Sequence, residues 1–296
     1  MMEKVVSYIF LIFIFLNLQA CHAQQKEQKM SSQPELYTLN FGIEGEKKFK
    51  SYMQTDVDQQ PAGMSFFDLT WEPPHLANIK IDLAENSFII KNVFSAMGTR
   101  IDYAQQNEGI QIIDITAGLN KEEFVSEEQA YMAYKELLGE LQKAGWQQYF
   151  YPSDARFDKT DNLKRIKKNN TVIDPFNLLT QAEWREHFKS STSLYFNLYR
   201  NGVLTELNLE KTSKKELKAE KNEQFMLRFS IQSIRYVTKN LIENGYKLTG
   251  IDLKRAFDEM VLVDQKERRK AEIKAKKEGF HIDESYQDPD VWQYVK

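Results

Sequence analysis

The sequence has a single cysteine, Cys21, among 296 residues, so the chain can form no internal disulfide. The histidines are dispersed, and none has zinc-site spacing with another histidine or with the cysteine. They are His22, His75, His187 and His281. We therefore predict no metal site and no cofactor.

Motifs of several enzyme classes are also missing. The sequence has no Gly-x-Ser-x-Gly elbow, no glycine-rich phosphate-binding loop and no Ser-x-x-Lys motif. Folding would have to bring a pair of catalytic carboxylates together, and 43 aspartates and glutamates give no basis for choosing two. We predict no catalytic residues and a protein that is not an enzyme, with a hydrolase as an alternative.

A strong charge of one sign is missing as well. The formal net charge is −3, from 40 lysines and arginines against 43 aspartates and glutamates. Because nucleic-acid-binding domains carry a basic surface, no nucleic acid is predicted as a partner. The aromatic content of 12% and the regular apolar clusters indicate a chain with a packed core.

An apolar run from Val5 to Leu16 follows Lys4 at the N-terminus. A helix needs roughly 20 apolar residues to cross the ~30 Å hydrocarbon layer, so this run is too short to span a membrane. It has the length of the apolar region of a secretory signal peptide. We predict a signal peptide over 1–20, which is removed after export.

The residues that close this leader, Leu18-Gln19-Ala20-Cys21, resemble the lipobox of bacterial lipoproteins. The resemblance covers only the leader, and it implies cleavage between Ala20 and Cys21, diacylglycerol on the thiol and usually a fatty acid such as palmitate on the new amine. Several acyl chains make membrane attachment durable, whereas one chain holds a protein only marginally. Cys21 is therefore the predicted lipidation site, and a plain secretory signal or an uncleaved anchor is the alternative.

The residue after the cysteine bears on the choice of membrane. In Gram-negative lipoproteins, an aspartate at this position tends to retain the protein at the inner membrane, and here the residue is His22. For a cell with two membranes, the resemblance favours the periplasmic face of the outer membrane over the inner membrane.

The mature chain divides by composition. The polar, glutamine-rich segment 21–34, which includes the lipidated cysteine, is predicted to be a flexible tether. The other predicted parts are an α+β lobe over 35–155, a connector over 156–190, a second α+β lobe over 191–252, and a charged helix and tail over 253–296. The predicted fold class is α+β, with two lobes built from an antiparallel sheet and a helix.

A helix is predicted from Ser126 to Gly145. Ser126 and Gln129 have capping-box spacing, and acidic residues suit the positive helix start. The side chains of Tyr134, Leu137, Leu138 and Leu141 fall on one helical face. Gly145 can adopt the left-handed stop, with Trp146 folding back as an apolar cap.

A hairpin is predicted over Leu194–Leu209, because Asn201-Gly202 lies between two alternating runs. A meander is predicted over Ser87–Phe94, Thr99–Ala104 and Gly109–Thr116, with breaks at Met97-Gly98 and at Asn107-Glu108-Gly109. A further strand is predicted at Phe225–Phe229, followed by a helix that ends near Gly245.

The two predicted helices end alike, with Gly145-Trp146 and Gly245-Tyr246. Each is followed by a predicted short strand, at Gln147–Tyr151 and Lys247–Ile251. This pattern suggests two β-β-β-α-β units and a duplication. The alternative is that many helices end in a glycine and an aromatic residue.

A polar segment with aromatic residues follows the first helix and is the predicted partner-binding loop. Its candidate residues are Tyr149, Tyr151, Asp154, Arg156, Phe157 and Asp158, because aromatic residues beside arginine are frequent interface anchors. The alternatives are an ordinary strand end that enters a polar turn, and a calcium site built from Asp154, Asp158 and Asp161. Glu183 to His187 has a metal-like composition but only one histidine, so it is predicted to be an amphipathic helix start capped by Thr180.

The charged C-terminal segment is predicted to be a helix that reaches into solvent. Its basic runs are Lys266–Lys270 and Lys274–Lys277. Because acidic residues alternate with them, a solvated face is favoured over contact with anionic lipid or cell-wall polymers.

Export, a lipid tether and the missing catalytic motifs favour a periplasm-facing lipoprotein that binds a protein partner without catalysis. One concrete form is an immunity protein that neutralises a toxin delivered to the periplasm. The alternatives are an envelope assembly or cell-wall accessory lipoprotein and an envelope hydrolase. The predicted partners are the membrane, through the lipid anchor, and an unidentified envelope or toxin protein.

Overall fold

The computed structural model describes residues 36–104, 107–212 and 223–296. The predicted signal peptide, the cleavage site at Ala20 and Cys21, and the tether lie outside these residues. The chain from Glu35 to Lys296 forms one compact unit. None of the described helices has the length and apolar character needed to cross a membrane.

A mixed sheet forms the centre of this unit. The described residues contribute ten strands: β1 (Leu36–Leu39), β2 (Asp58–Gln60), β3 (Met64–Thr70), β4 (Ala77–Ile81), β5 (Phe88–Ile101), β6 (Ile110–Gly118), β7 (Gln147–Gln148), β8 (Ser193–Arg200), β9 (Val203–Lys211) and β10 (Phe225–Ser233). Their spatial order is β1-β4-β5-β6-β10-β9-β8-β7, and β3 joins the sheet through β5 and carries β2. Strands β1 and β4 are parallel, and the other pairs are antiparallel.

Seven α-helices lie within the described ranges: α1 (Gly42–Tyr52), α2 (Glu127–Lys143), α3 (Asn162–Asn169), α4 (Gln181–Ser190), α5 (Ile234–Leu241), α6 (Gly250–Lys277) and α7 (Trp292–Val295). The predicted α+β class is confirmed. Strands from both predicted lobes belong to one sheet, because β6 of the first lobe pairs with β10 of the second. The two lobes are therefore halves of one domain, and the predicted connector 156–190 contains α3 and α4.

The predicted helix is confirmed as α2. Ser126 accepts a hydrogen bond from the backbone N–H of Gln129, and the Gln129 side chain accepts one from the backbone N–H of Ser126. Gly145 has a left-handed φ of +80°, and the N–H of Trp146 donates to the carbonyl of Leu141. The capping pattern read from the sequence thus sets both ends of this helix.

The predicted hairpin is confirmed as β8 and β9. Its turn residues have positive φ values, +45° at Asn201 and +77° at Gly202. The register pairs Arg200 with Val203 and continues to Ser193 and Glu210. A two-residue turn of this kind fixes the register of both strands.

The predicted break at Met97-Gly98 is wrong, because β5 runs without interruption through both residues. Gly98 instead permits a close approach: a Cβ atom there would lie 2.8 Å from the ring of Phe49 in α1. Phe49 is completely buried. The glycine therefore makes room for a core aromatic ring and does not form a turn.

The strand predicted at Lys247–Ile251 is also wrong, because the chain turns there and α6 begins at Gly250. The corresponding strand after α2 is β7, a two-residue strand that pairs with the outer side of β8. Helix α5 follows β10, which already has β6 and β9 as neighbours. After α5 the described chain contains only the helices α6 and α7, so the second half lacks the last strand of the predicted repeat.

The core lies on one face of the sheet. Along β10 the buried side chains alternate, at Phe225, Leu227, Phe229 and Ile231. Helices α2 and α4 belong to the same core, and the ring of Trp184 in α4 lies 5.4 Å from the ring of Phe225. We call the opposite face of the sheet the open face; it carries partly exposed polar residues such as Asp114, Ser230 and Glu206, beside the buried Leu204.

The predicted C-terminal helix is confirmed as α6, which spans 28 residues and so measures about 42 Å at ~1.5 Å per residue. It packs at both ends rather than standing free in solvent. Near its start Leu253 and Phe257 pack with Val295, and near its end Ala275 packs with Phe280.

Candidate functional site

Cys21 and Ala20, the predicted lipidation and cleavage residues, lie outside the described residues. Their roles stay predictions that the geometry below neither uses nor tests.

The predicted partner-binding loop contacts other parts of the same chain. Tyr149 is buried, with 3% of its surface exposed. The hydroxyl of Tyr151 donates a short hydrogen bond to Glu206. Arg156 donates to both carboxylate oxygens of Glu272 in α6, at 2.7 and 3.3 Å.

The other three loop residues face different surroundings. The ring of Phe157 lies 5.1 Å from that of Phe280. Asp154 is exposed, and its backbone carbonyl accepts a hydrogen bond from Arg268 at 2.9 Å. Asp158 caps a short 3-10 helix by accepting from the backbone N–H two residues later. The six predicted residues therefore do not share one surface, and their role in partner binding stays a prediction.

The calcium alternative has no geometric support. Within the described ranges, no group of three or more His, Cys, Asp or Glu side chains could hold a metal ion. The Oδ2 atom of Asp161 accepts a hydrogen bond from the backbone N–H of His281 at 2.6 Å. The ring nitrogen Nδ1 of His281 lies 3.1 Å from the same oxygen. This carboxylate therefore joins the chain's C-terminal part to the start of α3.

The predicted helix at Glu183 to His187 is confirmed as α4, capped by Thr180. His187 is buried, and its Nε2 lies 2.9 Å from the carbonyl oxygen of Ser193. Burial lowers the pKa of His187. A neutral imidazole that donates to this carbonyl serves to join α4 to β8.

Six paired positions cross the open face from β3 to β8: Asp68, Met97, Asp114, Ser230, Glu206 and Asn197. Directly paired residues of antiparallel strands project from the same face. Three carboxylates therefore share one row, and we call Asp68, Asp114 and Glu206 the acidic row. Successive members are two strand spacings apart, about 10 Å of backbone.

Burial and a neighbouring carboxylate disfavour the charged form of two of these groups, Asp114 and Asp68. Burial, with the neighbouring charge of Glu206, raises the pKa of Asp114 despite a hydrogen bond from Ser230. Burial, with the charge of Asp58, likewise raises the pKa of Asp68. Each carboxylate would therefore be stabilised by a nearby positive charge.

No described residue supplies that charge through an ion pair to Asp68, Asp114 or Glu206. Arg228, two residues along β10 from Ser230, donates at 2.9 Å to Glu210 instead. The contact of Glu206 with the Tyr151 hydroxyl supplies a hydrogen bond but no charge. The acidic row therefore presents negative charge that the described part of the chain leaves uncompensated.

A second candidate is a cavity of about 500 Å³ beside the C-terminal end of α4. Trp184, Phe188 and Phe225 form its aromatic wall, with ring centroids 4.6 to 5.4 Å apart. Cavities of this size and composition accept apolar side chains or small ligands.

The charged groups around the cavity already have partners. The ammonium of Lys211 lies 2.9 Å from a carboxylate oxygen of Glu223. Arg185 donates to Glu127 at 2.8 Å. The cavity therefore offers an apolar wall without a free charge to orient a ligand, whereas the acidic row offers free charge on a broad surface.

Sequence reasoning missed the acidic row. The alternation of apolar and polar residues in 109–116 places Asp114 on a polar face, and the hairpin does the same for Glu206. Their neighbourhood depends on β10, which inserts between β6 and β9. No local pattern specifies that insertion.

No protein-family model, no curated protein and no solved structure matches the chain significantly. The functional argument therefore depends on the residues and contacts of this chain.

Proposed function

We propose that the protein is a lipid-anchored, periplasm-facing lipoprotein that binds a partner protein on its open sheet face and performs no catalysis. The partner segment is basic, and its lysine or arginine side chains pair with the acidic row. A concrete form of this function is immunity, in which the protein occupies a toxin delivered to the periplasm.

The observation that carries the proposal is the uncompensated charge of Asp68, Asp114 and Glu206. Complementary charge across an interface speeds association and excludes partners of the wrong sign. A cation placed between Asp114 and Glu206 would reduce the repulsion that raises the pKa of Asp114. Binding of a basic segment is therefore favoured, because it relieves the electrostatic repulsion that destabilises the unbound protein.

The size of the face supports a macromolecular partner. The row crosses six strands, which is about 24 Å at ~4.8 Å per strand spacing. Tyr195 projects from the same face of β8 and is 43% exposed. Tyrosine is a frequent interface anchor because its large ring loses little conformational entropy when it is bound.

The anchor places this face near other envelope proteins. The lipobox resemblance at Leu18-Gln19-Ala20-Cys21 supports lipidation, and His22 supports the outer membrane. A tethered binding module meets its partner at a high local concentration, which compensates for modest affinity.

The test is a crosslinking pull-down from envelope extracts with the wild-type protein and with a variant that carries Asp114→Asn and Glu206→Gln. We expect the captured partner to be basic and to be lost from this variant, because both substitutions keep the shape and remove the charge. The matched control carries Glu122→Gln and Glu243→Gln, two exposed carboxylates away from the row. Equal capture by all three proteins would contradict the proposal.

Asp114 and Glu206 also give the hydrolase alternative a specific form, because one of two carboxylates on the same face has a raised pKa. That alternative predicts digestion of peptidoglycan by the wild type and none by Asp114→Asn. The envelope-assembly alternative predicts a morphology or permeability defect when the gene is deleted without any competing strain. Immunity instead predicts that deletion sensitises cells only in the presence of a toxin-producing neighbour.

A further inference from the structure

The C-terminal half of α6 has an outward face that is strongly basic. Residues on this face recur at helical spacing, opposite the buried Arg268 and Ala275. The basic members are Lys266, Arg269, Lys270, Lys274, Lys276 and Lys277, and all six are exposed. We call this set the basic face.

Large apolar side chains lie among these cations. Leu262 is 66% exposed, Val263 59% and Ile273 57%. Their helical positions fall on the outward side of α6, between the basic residues. An exposed helix face that combines basic residues with large apolar residues is typical of helices that lie on membrane surfaces.

The inward side of α6 holds this face in a fixed position. Arg268 is 7% exposed and donates to the backbone carbonyls of Tyr151 and Asp154, each at 2.9 Å. It also binds both carboxylate oxygens of Asp288. The outward side is therefore presented by a helix that is tied to the domain along its length.

Helix α3 extends the positive charge. The ammonium of Lys164 lies 4.2 Å from the ring centroid of Phe280, just beyond the end of α6, and that of Lys168 lies 5.3 Å from it. Lys167 is exposed on the same short helix. The structure thus brings together two basic segments that are about one hundred residues apart in sequence.

The carboxylates nearby leave much of this charge uncompensated. Glu272 pairs with Arg156, and Glu278 pairs with Lys168. Lys270 pairs with Glu267 and Lys276 with Glu284. The other four members of the basic face form no ion pair with any described residue: Lys266, Arg269, Lys274 and Lys277. A protein with a net charge of −3 therefore concentrates positive charge on this one surface.

We propose that the basic face of α6, extended by α3, binds the surface of an anionic phospholipid bilayer. Lysine and arginine side chains contact the phosphate groups, and Leu262, Val263 and Ile273 insert among the lipids at the level of the headgroups. Each lysine or arginine near an anionic surface strengthens binding about fivefold. This contact is distinct from the proposed lipid anchor and from the acidic row, and it fixes which side of the domain faces the membrane.

The test uses the chain from residue 21 with Cys21→Ser, which contains the whole compact unit from Glu35 to Lys296 and neither the leader nor an acyl chain. Binding is measured by co-sedimentation with vesicles of phosphatidylglycerol and phosphatidylethanolamine, and with vesicles of phosphatidylcholine alone. We expect binding to the anionic vesicles only, and weaker binding as salt rises, because salt screens exposed charges. Absence of binding to anionic vesicles at low salt would overturn the proposal.

Two sets of variants locate the contact. Lys266→Glu, Lys270→Glu and Lys277→Glu together should weaken binding at least about 100-fold, since each cation contributes about fivefold. The matched control reverses three exposed lysines elsewhere, Lys47, Lys91 and Lys143. Equal losses in both triple variants would overturn the assignment to α6, because only total charge would then matter.

The apolar residues separate a bilayer from other polyanions. Leu262→Gln with Ile273→Gln should weaken vesicle binding about tenfold or more, because each CH₂ group buried in the membrane strengthens binding about fourfold. If this variant binds the vesicles as tightly as the parent protein does, and if soluble polyphosphate binds with the same affinity, the surface is a polyanion site. That result would overturn the bilayer proposal. Circular dichroism confirms that each exposed substitution leaves the fold intact. Since no protein partner is present, the outcome is independent of the proposed function of the acidic row.

Discussion

Replacing glycine by alanine is expected to have opposite effects on stability at two positions of this chain, Gly98 and Gly139. A Cβ atom at Gly98 in β5 would lie 2.8 to 3.0 Å from three ring carbons of Phe49, which is completely buried. Gly139, in the interior of α2, has no atom within 4 Å of the corresponding position. Gly98→Ala and Gly139→Ala each add one methyl group, so their difference isolates the packing around the site.

The expected magnitudes follow from these surroundings. Overpacking a core costs about 1–3 kcal/mol, so Gly98→Ala lowers the free energy of unfolding by that amount. Replacing an interior helical glycine by alanine contributes about 1 kcal/mol, so Gly139→Ala raises it. For a domain of this size, 1 kcal/mol corresponds to about 2–4 °C in Tm. The two variants should therefore differ by about 2–4 kcal/mol.

Urea unfolding followed by circular dichroism measures both variants, and an unchanged m-value shows that the comparison concerns stability alone. A third protein with Phe49→Leu tests the cause, because a smaller side chain should reduce the penalty of Gly98→Ala in a double-mutant cycle. If Gly98→Ala is as stable as the wild type, or if its penalty is the same with leucine at position 49, the packing argument is wrong.

Three further predictions concern charge and the anchor. Asp114→Asn should raise the free energy of unfolding at pH 7, because burial and the charge of Glu206 raise the pKa of Asp114. The gain should be absent below the ordinary aspartate pKa of 3.8 and grow as the pH rises above it; a gain that persists at pH 3 would contradict this cause. Arg268→Ala should lower the free energy of unfolding by about 3 kcal/mol, because the substitution leaves two backbone carbonyls and Asp288 without their donor. A decrease of less than about 1 kcal/mol in urea unfolding would count against this prediction. Cys21→Ser should abolish metabolic labelling by a fatty acid, and equal labelling of both proteins would refute the lipobox assignment.

The local elements of the fold could be predicted from the sequence because their causes are local. The capping box at Ser126 and the left-handed Gly145 set the ends of α2 within a few residues. Asn201-Gly202 fixes the register of β8 and β9 in the same way. The prediction of a break at Gly98 failed, because local sequence makes this glycine resemble a turn residue. Its actual role depends on Phe49, which lies about fifty positions earlier in the chain and packs against it.

The candidate sites depend on contacts that no local pattern contains. Asp114 and Glu206 become neighbours only because β10 inserts between β6 and β9. The basic runs of α6 were visible in the sequence and favoured a solvated face. The convergence of α3 on the end of α6, through Lys164 and Phe280, was not visible.

The sequence by itself determined the α+β class and the helices and turns whose backbone conformations are set by nearby residues, and it carries the prediction of a leader that ends at Cys21. Only the tertiary structure decided that both halves share one sheet, that an acidic row crosses its open face, and that one surface collects basic and apolar side chains. The physical reason is the sequence distance over which each kind of interaction acts. Capping and turn preferences act over a few residues, whereas strand order and helix packing are selected by the burial of apolar surface across the whole chain.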